Sequence, residues 1–280
     1  MTIKRSLFLR NIALGVSASF VLAACGGADT ADTAEGDATT DEAATTEETV
    51  GVLKVATEPA FPPFEFQADN GELDGFDIDL MTAIGETAGL EVQFESLPFD
   101  GIIPALQAGT VDAAISGMTI TEERLQTVDF SRPYIKAGLA IAVQADNAEV
   151  AGLDDLEDKK IAVQIGTTGA DQAAEIPGAE ISTFDSAPLA LQELANGNVD
   201  AVINDAPVTL DAIASGNIDG LKVVGELLTT EFYGIALPKD SENVAVINDA
   251  LMTMMEDGTY AEIYQEWFGE EPPELPESAF

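Results

Sequence analysis

Short apolar runs alternate with amphipathic stretches from Val52 onward, and this alternation limits the fold more than any other feature of the sequence. The runs at 53–57 (LKVAT) and 92–97 (VQFESL) predict strands, and the stretches at 76–90 and 101–109 predict helices. Strands that alternate with helices are typical of α/β architecture. A second series of strands follows (LAIAVQ, KIAVQIG, EISTF and AVIND), so about 215 residues fold, more than one core usually holds. We therefore expect two α/β lobes.

Two segments of the chain, 106–119 (LQAGTVDAAISGMT) and 194–207 (LANGNVDAVINDAP), align without gaps. Each predicts a helix that ends at a glycine, followed by a buried strand with polar residues at its carboxyl end. Two explanations of this match remain open: the segments share a common origin, or any unit of helix, glycine and strand looks like this. Ligands of open α/β sheets bind outside the carboxyl ends of the strands. The match therefore nominates residues in both lobes: Ser116, Gly117 and Thr119 in one, Asn204 and Asp205 in the other.

The amino-terminal segment has the pattern of an export signal. Three basic residues precede an apolar run that ends at Cys25 in the sequence LAAC. The run is shorter than the ~20 residues that a membrane-spanning helix needs. LAAC resembles the lipobox of bacterial lipoproteins, which implies that residues 1–24 are a signal peptide and that Cys25 is lipidated. Residues 25–51 form an acidic tract without Lys, Arg or aromatic residues, for which we predict a disordered tether.

The composition excludes several classes of function. The chain has no His, and Cys25 is its only Cys, so Ser-His and Cys-His nucleophiles and His-containing zinc sites are excluded. It carries 11 Lys and Arg against 51 Asp and Glu, a net charge of −40, which disfavours binding to nucleic-acid phosphates. We expect no metal, no cofactor and no nucleic-acid partner. So dense a negative charge also favours a salt-rich habitat, where screening weakens self-repulsion.

Arg124 and Asp205 are the candidates for binding a zwitterion. Arg124 follows Gly117 and Thr119 in the segment SGMTITEER, and its planar fork suits a carboxylate. Alternatively, Arg124 lies on a surface helix and pairs with a neighbouring Glu. Asp205 could bind an ammonium, cap the helix after Pro207, or do both. Because an α-amino acid carries a carboxylate and an ammonium one carbon apart, such a ligand could join the two lobes.

Residues near other strand ends predict a side-chain pocket and an anion site. Phe61 and Phe99 could stack on both faces of a ligand side chain, and Glu58 could accept hydrogen bonds from its tip. An ordinary solvated carboxylate is the alternative for Glu58. The segment 164–172 (QIGTTGADQ) places two threonines at a strand-to-helix turn, where backbone N–H groups favour an anion. We reject a phosphate loop, because the spacing GxxxxGK[ST] is absent.

Taken in order, the motifs between Leu53 and Phe268 resemble those of the polar amino-acid family of solute-binding proteins, family 3. The motifs that carry the resemblance are FPPFEF, GELDGFDIDL, GIIPAL, TITEER, LEDKKIAVQIGTTG and DGTYAEIYQEWFG. The resemblance implies a two-lobed α/β fold with a ligand cleft between lobes that a two-strand hinge joins. The implied boundaries are 52–136 with 234–270 for lobe 1, 137–233 for lobe 2, and 271–280 for a carboxyl-terminal tail.

The resemblance also implies roles for the residues at the strand ends. Arg124 binds the ligand carboxylate, together with the backbone N–H groups of Thr119 and Thr168. Asp205 binds the α-ammonium, together with the Gly117 carbonyl and the Thr119 hydroxyl. These two sets lie on facing lobes, so the resemblance implies that the ligand holds the lobes together.

The side-chain pocket decides which amino acid is expected. The resemblance places Phe61 and Phe99 in its walls and puts Glu58 where relatives carry an Asp that contacts the ligand side chain. Gln164 and Asn204 stand where glutamine binders carry a Lys and a His, so fewer cations offset the Glu58 carboxylate. We therefore expect a basic amino acid, with glutamine or another neutral polar one as the alternative. The predicted ligand-binding set is Glu58, Phe61, Phe99, Ser116, Gly117, Thr119, Arg124, Gln164, Thr167, Thr168, Asn204 and Asp205.

The resemblance implies a monomeric, extracytoplasmic binding protein that delivers a free amino acid to the permease and ATPase subunits of an ABC importer. A second possibility is an enzyme, since similar proteins include a periplasmic dehydratase and lytic transglycosylases, and paired carboxylates can serve acid–base roles. We predict no enzyme, because both charged partners of a zwitterion are kept and the chain ends soon after its return to lobe 1. A third possibility is the sensor domain of a receptor. It would need a second membrane segment and a kinase, and we expect neither.

Overall fold

The computed structural model describes residues 51–280. The predicted signal peptide, the predicted lipidation at Cys25 and nearly all of the predicted tether lie outside the described residues. Within 51–280, no helix has both the length and the apolar character needed to cross a membrane.

Strands and helices alternate along most of the described chain. The first group is β1 (Gly51–Thr57), β2 (Ala60–Phe61), β3 (Glu65–Gln67), β4 (Leu73–Asp74), α1 (Phe76–Ala88), β5 (Leu90–Ser96), α2 (Phe99–Gln107), β6 (Ala113–Ala114), β7 (Val128–Phe130) and β8 (Ile135–Ala137). The second group is β9 (Leu139–Gln144), β10 (Lys160–Gln164), α3 (Thr168–Ala174), β11 (Glu180–Phe184), α4 (Ala187–Ala195), β12 (Ala201–Asp205), α5 (Ala206–Ala214), β13 (Leu221–Val224) and β14 (Glu231–Tyr233). The chain finishes with β15 (Ala236–Pro238), α6 (Asn243–Asp257) and α7 (Thr259–Phe268).

Lobe 1 is built on a five-stranded sheet with the strand order β5-β1-β6-β15-β7. Strand β1 is parallel to β5 and β6, whereas β15 is antiparallel to β6 and β7. Consecutive residues of β1, Val55 and Ala56, are both buried, as in a central strand that is covered on two faces. Helix α1 covers one face, where Leu80 and Ile84 share a cluster with Ile247 of α6.

Lobe 2 has a second five-stranded sheet with the order β11-β10-β12-β9-β13. Strand β10 is parallel to β11 and β12, and β9 is antiparallel to β12 and β13. Side chains alternate between the two faces, since Ile161 and Ile203 join one core cluster while Ala162 and Val202 join the other. The central strands β10 and β12 are therefore buried on both sides.

Two short antiparallel strands connect the lobes. Strand β8 pairs with β14, with Ile135 opposite Tyr233 and Ala137 opposite Glu231. The chain passes from the first sheet to the second through β8 and returns through β14. This arrangement is the two-lobed α/β fold with a two-strand hinge that the sequence predicts.

The strand predicted at 113–117 is shorter in the structure than in the sequence analysis. Only Ala113–Ala114 is assigned to β6; the Ile115 N–H still donates to the Ala56 carbonyl of β1 at 3.0 Å, and the chain turns at Gly117. Gly117 has a φ of +51°, a left-handed conformation that glycine adopts without a steric penalty. Its N–H donates to the Asp77 carboxylate at 2.9 Å instead of pairing with a strand. The turn carries the residues after β6 towards the other lobe.

Candidate functional site

A small cavity lies between the two lobes. Its lining comprises ten of the predicted site residues: Phe61, Phe99, Ser116, Gly117, Thr119, Arg124, Gln164, Thr167, Thr168 and Asp205. Several of them follow the carboxyl ends of β6, β10 and β12, the edge at which open α/β sheets bind ligands. The other two predicted residues, Glu58 and Asn204, are not among the lining residues.

The Arg124 guanidinium is held at the junction of the lobes. Its Nη1 donates to the Thr119 carbonyl of lobe 1 at 2.7 Å, and its Nη2 donates to the Gly166 carbonyl of lobe 2 at 3.0 Å. The guanidinium carbon also lies 5.4 Å from the centroid of the Phe99 ring. Burial lowers the pKa of Arg124, and nearby acids, Asp171 first among them, counteract that effect. Since a guanidinium has five N–H donors, it keeps donors for a carboxylate in the cavity.

Asp205 presents a buried carboxylate to the cavity from the end of β12. Helix α5 begins at the next residue, but the Asp205 side chain makes no capping hydrogen bond. Its Oδ1 has no hydrogen bond of ordinary geometry within the described residues, although the nearby Tyr233 hydroxyl lowers its pKa. Burial, followed by the charge of Glu231, raises the pKa of Asp205 to about 7. An unpaired buried carboxylate oxygen is costly, so this group suits a cationic partner.

Glu58 and Gln164 form a direct contact between the lobes. The Gln164 amide donates to Glu58 Oε2 at 2.7 Å and to the Asp185 carbonyl at 3.2 Å. Burial raises the pKa of Glu58 to about 7; the Gln164 hydrogen bond opposes that rise, and the charges of Asp100 and Asp185 add to it. Glu58 is therefore a buried acid, and the alternative of a solvated carboxylate does not describe it.

The Phe61 ring packs on the backbone of the turn after β6. A Cβ atom built on Gly117 would lie 2.7 Å from Cε1 of Phe61, so only a glycine leaves room for the ring. Phe61 also stacks on Phe64, with ring centroids 6.2 Å apart, and Phe64 is fully buried. The core of lobe 1 thus fixes the orientation of one aromatic wall of the cavity.

Two predicted residues use their side chains within lobe 2. The Thr167 hydroxyl donates to the Gln164 carbonyl at 2.8 Å and accepts from the Ala170 N–H at 3.2 Å, which caps α3. The Asn204 amide donates to the Thr209 hydroxyl at 3.2 Å. These hydrogen bonds shape the ends of β10 and β12, where the cavity residues lie.

A pair of buried acids, Glu65 and Asp77, supports the turn from behind, and the sequence analysis missed it. Glu65 accepts from the Ser116 hydroxyl at 2.8 Å, and Asp77 accepts from the Gly117 N–H and, at 2.7 Å, from the Tyr134 hydroxyl. Burial and the charge of Asp77 raise the pKa of Glu65 well above its usual range. The pair holds Ser116 and Gly117 in place through these hydrogen bonds.

Glu231 is a second residue that the sequence analysis missed. It lies on the hinge strand β14 with 8% of its surface exposed, and its carboxylate accepts hydrogen bonds from three threonines. The donors are the hydroxyls of Thr119 in lobe 1, Thr168 in lobe 2 and Thr229 next to the hinge, at 2.6, 3.0 and 2.9 Å. An isolated Glu in the sequence TTEFYG gives no signal of this convergence.

Sequence comparison identifies the relatives of the chain. The family model for bacterial extracellular solute-binding proteins, family 3, matches residues 53–270. A probable histidine-binding protein of Neisseria gonorrhoeae is 35% identical, over 79% of this chain and 84% of the relative. An arginine-binding periplasmic protein of Mannheimia haemolytica is also 35% identical, over 77% of this chain and 90% of the relative. These relatives are named as binding proteins, not as enzymes.

Solved structures of the same fold include three that bear on the site. An ancestral arginine-binding protein bound to arginine has a TM-score of 0.76 and 48% identity, over 78% of this chain and 99% of that one. The arginine-, lysine-, histidine-binding protein ArtJ of Geobacillus stearothermophilus has a TM-score of 0.75 and 39% identity, over 79% and 96%. The ancestral amino acid-binding protein AncCDT-1, a precursor of cyclohexadienyl dehydratase, has a TM-score of 0.72 and 43% identity, over 78% and 96%. The predicted two-lobed fold is therefore confirmed, and the chain belongs to family 3 of the bacterial extracellular solute-binding proteins.

Proposed function

We propose that this protein captures a basic amino acid, with arginine as the best candidate, in the cavity between its lobes and delivers it to an ABC importer. The observation that carries the proposal is that Arg124 of lobe 1 and Asp205 of lobe 2 line one cavity. A cation and an anion on opposite sides match the carboxylate and ammonium of an α-amino acid. The ligand then bridges the lobes and favours the closed form, which the importer recognises.

The side-chain end of the cavity supports the preference for a cation. Phe61 and Phe99 provide aromatic faces, and such faces attract a guanidinium or an ammonium. The buried Glu58 carboxylate lies beside this region, and the Gln164 amide donates to it at 2.7 Å. Because an amide only partly compensates a buried negative charge, a cationic ligand side chain would stabilise this end of the site. The named arginine-binding relatives support the same preference.

A thermal-shift screen of the common amino acids, ornithine and citrulline tests the proposal, followed by calorimetric titration of those that bind. We expect arginine to bind with micromolar affinity or tighter, because it satisfies both ends of the cavity. Citrulline is the matched control, since it has nearly the shape of arginine without the charge, and we expect at least about tenfold weaker binding. Equal affinity for the two would support a neutral ligand such as glutamine instead. Binding of no α-amino acid would contradict the proposal.

The affinity for arginine should fall on acidification. Burial raises the pKa of Glu58 and of Asp205 to about 7, so both carboxyls gain a proton as the pH falls through that value. A protonated carboxyl does not attract a cation, so binding at low pH must first release protons. Titration between about pH 5 and 8.5, in buffers of different ionisation enthalpy, measures the affinity and the protons released. The Glu58→Gln variant should release fewer protons than the wild type, and a constant affinity across this range would contradict the prediction.

We also propose that the protein acts outside the cytoplasm, anchored by a lipid on Cys25, and that it is not an enzyme. The sequence LAAC after an export signal supports the anchor. Metabolic labelling with a fatty acid, followed by membrane fractionation, should show a labelled membrane protein in the wild type and loss of the label in Cys25→Ser.

The dehydratase alternative is tested by incubation with prephenate or arogenate, where we expect no turnover.

A further inference from the structure

Glu231 is not one of the residues that line the cavity, but it is hydrogen-bonded to two of them. It lies on β14, and the backbone ties the cavity loop to this strand, since the Ile120 N–H donates to the Phe232 carbonyl at 2.9 Å. Thr119 and Thr168 line the cavity, and their hydroxyls reach back to the same oxygen of Glu231, Oε2. The carboxylate therefore stands behind two cavity threonines, one from each lobe.

The direction of these hydrogen bonds sets what the threonines can offer to a ligand. A hydroxyl has one proton to donate and two lone pairs, whereas an ionised carboxylate only accepts. Both threonine protons are therefore directed to Glu231, and both oxygens present lone pairs on their other side. Asp205, which lines the same cavity, is also an acceptor when it is ionised. The charge of Glu231 acts on Asp205 and on Arg124, so its negative field extends through the site.

We infer that Glu231 is a positioning residue for recognition of the α-ammonium: it orients the Thr119 and Thr168 hydroxyls so that the cavity presents acceptors to a group that only donates. This inference rests on the proposed function and adds a determinant of its specificity. A ligand with –NH₃⁺ at Cα finds three acceptors. A ligand with a hydroxyl at Cα brings one proton and no charge, so acceptors remain unsatisfied and binding is weaker.

The test compares two ligands that differ only at Cα, L-arginine and 2-hydroxy-5-guanidinopentanoic acid. In the Glu231→Gln variant, the amide NH₂ can donate to one threonine, which frees that threonine's own proton to point into the cavity. We expect the wild type to prefer L-arginine strongly, and we expect this preference to fall at least about tenfold in Glu231→Gln. Glu226→Gln, the same change at an exposed position shortly before β14, should leave the preference unchanged.

The outcomes separate this inference from the proposed function. A Glu231→Gln variant that weakens both ligands equally would show that Glu231 only stabilises the hinge, which overturns the inference. Should that variant fail to fold, Thr168→Val removes one acceptor and leaves Glu231 in place, and an unchanged preference there also overturns it. If the wild type binds no basic or polar amino acid, the proposed function itself fails. Wild-type binding of L-arginine with a reduced preference in the variants supports both.

Discussion

Replacement of Arg124 by Lys should lower the affinity for the amino-acid ligand by about 10- to 150-fold, which corresponds to roughly 1.5–3 kcal/mol. Lys keeps the positive charge but loses the planar fork that binds a carboxylate through two parallel hydrogen bonds. It also has one nitrogen instead of the two that now reach the Thr119 carbonyl in lobe 1 and the Gly166 carbonyl in lobe 2. Arg124→Ala removes the charge as well, and we expect a loss of about 2–5 kcal/mol in binding free energy.

The chain offers a matched control for this change. Arg132 is the only other Arg of the described chain, and it is not among the lining residues of the cavity. Arg132→Lys should therefore leave the affinity within about twofold of the wild type. Calorimetric titration gives the affinities, and urea unfolding checks that each variant is folded. Similar losses in Arg124→Lys and Arg132→Lys would mean that the carboxylate is bound elsewhere.

The fold could be predicted from the sequence because the patterns that indicate its strands and helices are local and occur repeatedly. Buried strands in parallel sheets are continuous apolar runs, such as LKVAT, and the ends of helices are marked by residues such as Gly89, which has a left-handed φ of +69°. The order of the motifs then fixed the two lobes. The length of β6 was harder to predict, because the apolar residues of AAISG continue beyond the end of the strand at Ala114. After Ile115, the Ser116 hydroxyl donates to Glu65 and the Gly117 N–H to Asp77, and both acids are remote in sequence.

The parts of the site that the sequence did not reveal depend on distant contacts. Asp205 ends β12 and Arg124 lies in the segment after β6, so the pattern of strand ends was enough to nominate each of them. Glu65 and Asp77 lie in apolar motifs, FPPFEF and GFDIDL, and their pairing with the turn after β6 joins residues that are remote in sequence. Glu231 is one of 51 acidic residues, and only the structure shows that three hydroxyls converge on it. In so acidic a chain, composition cannot separate a buried acid from a solvated one.

Replacement of Gly117 by Ala should damage both stability and binding. The backbone at Gly117 has a φ of +51°, where an L-residue costs about 1–2 kcal/mol. The new methyl group would also lie 2.7 and 2.9 Å from two ring carbons of Phe61. Overpacking of this kind typically costs about 1–3 kcal/mol, so we expect the free energy of unfolding to fall by about 2–5 kcal/mol in total. Displacement of the Phe61 ring towards the cavity should reduce ligand affinity by at least about tenfold.

A control at Gly109 separates the cost of the left-handed backbone from the cost of the clash with Phe61. Gly109 has the same left-handed conformation as Gly117, but no ring lies close to it. Its φ is +66°, and a Cβ atom there would meet nothing within 4 Å. Gly109→Ala should therefore lower the free energy of unfolding by only about 1–2 kcal/mol and leave ligand affinity unchanged. The difference between the two variants measures the close approach of Phe61 to the turn. Equal losses of stability, or normal ligand binding by Gly117→Ala, would mean that the ring is free to move and that the turn does not set the aromatic wall of the cavity.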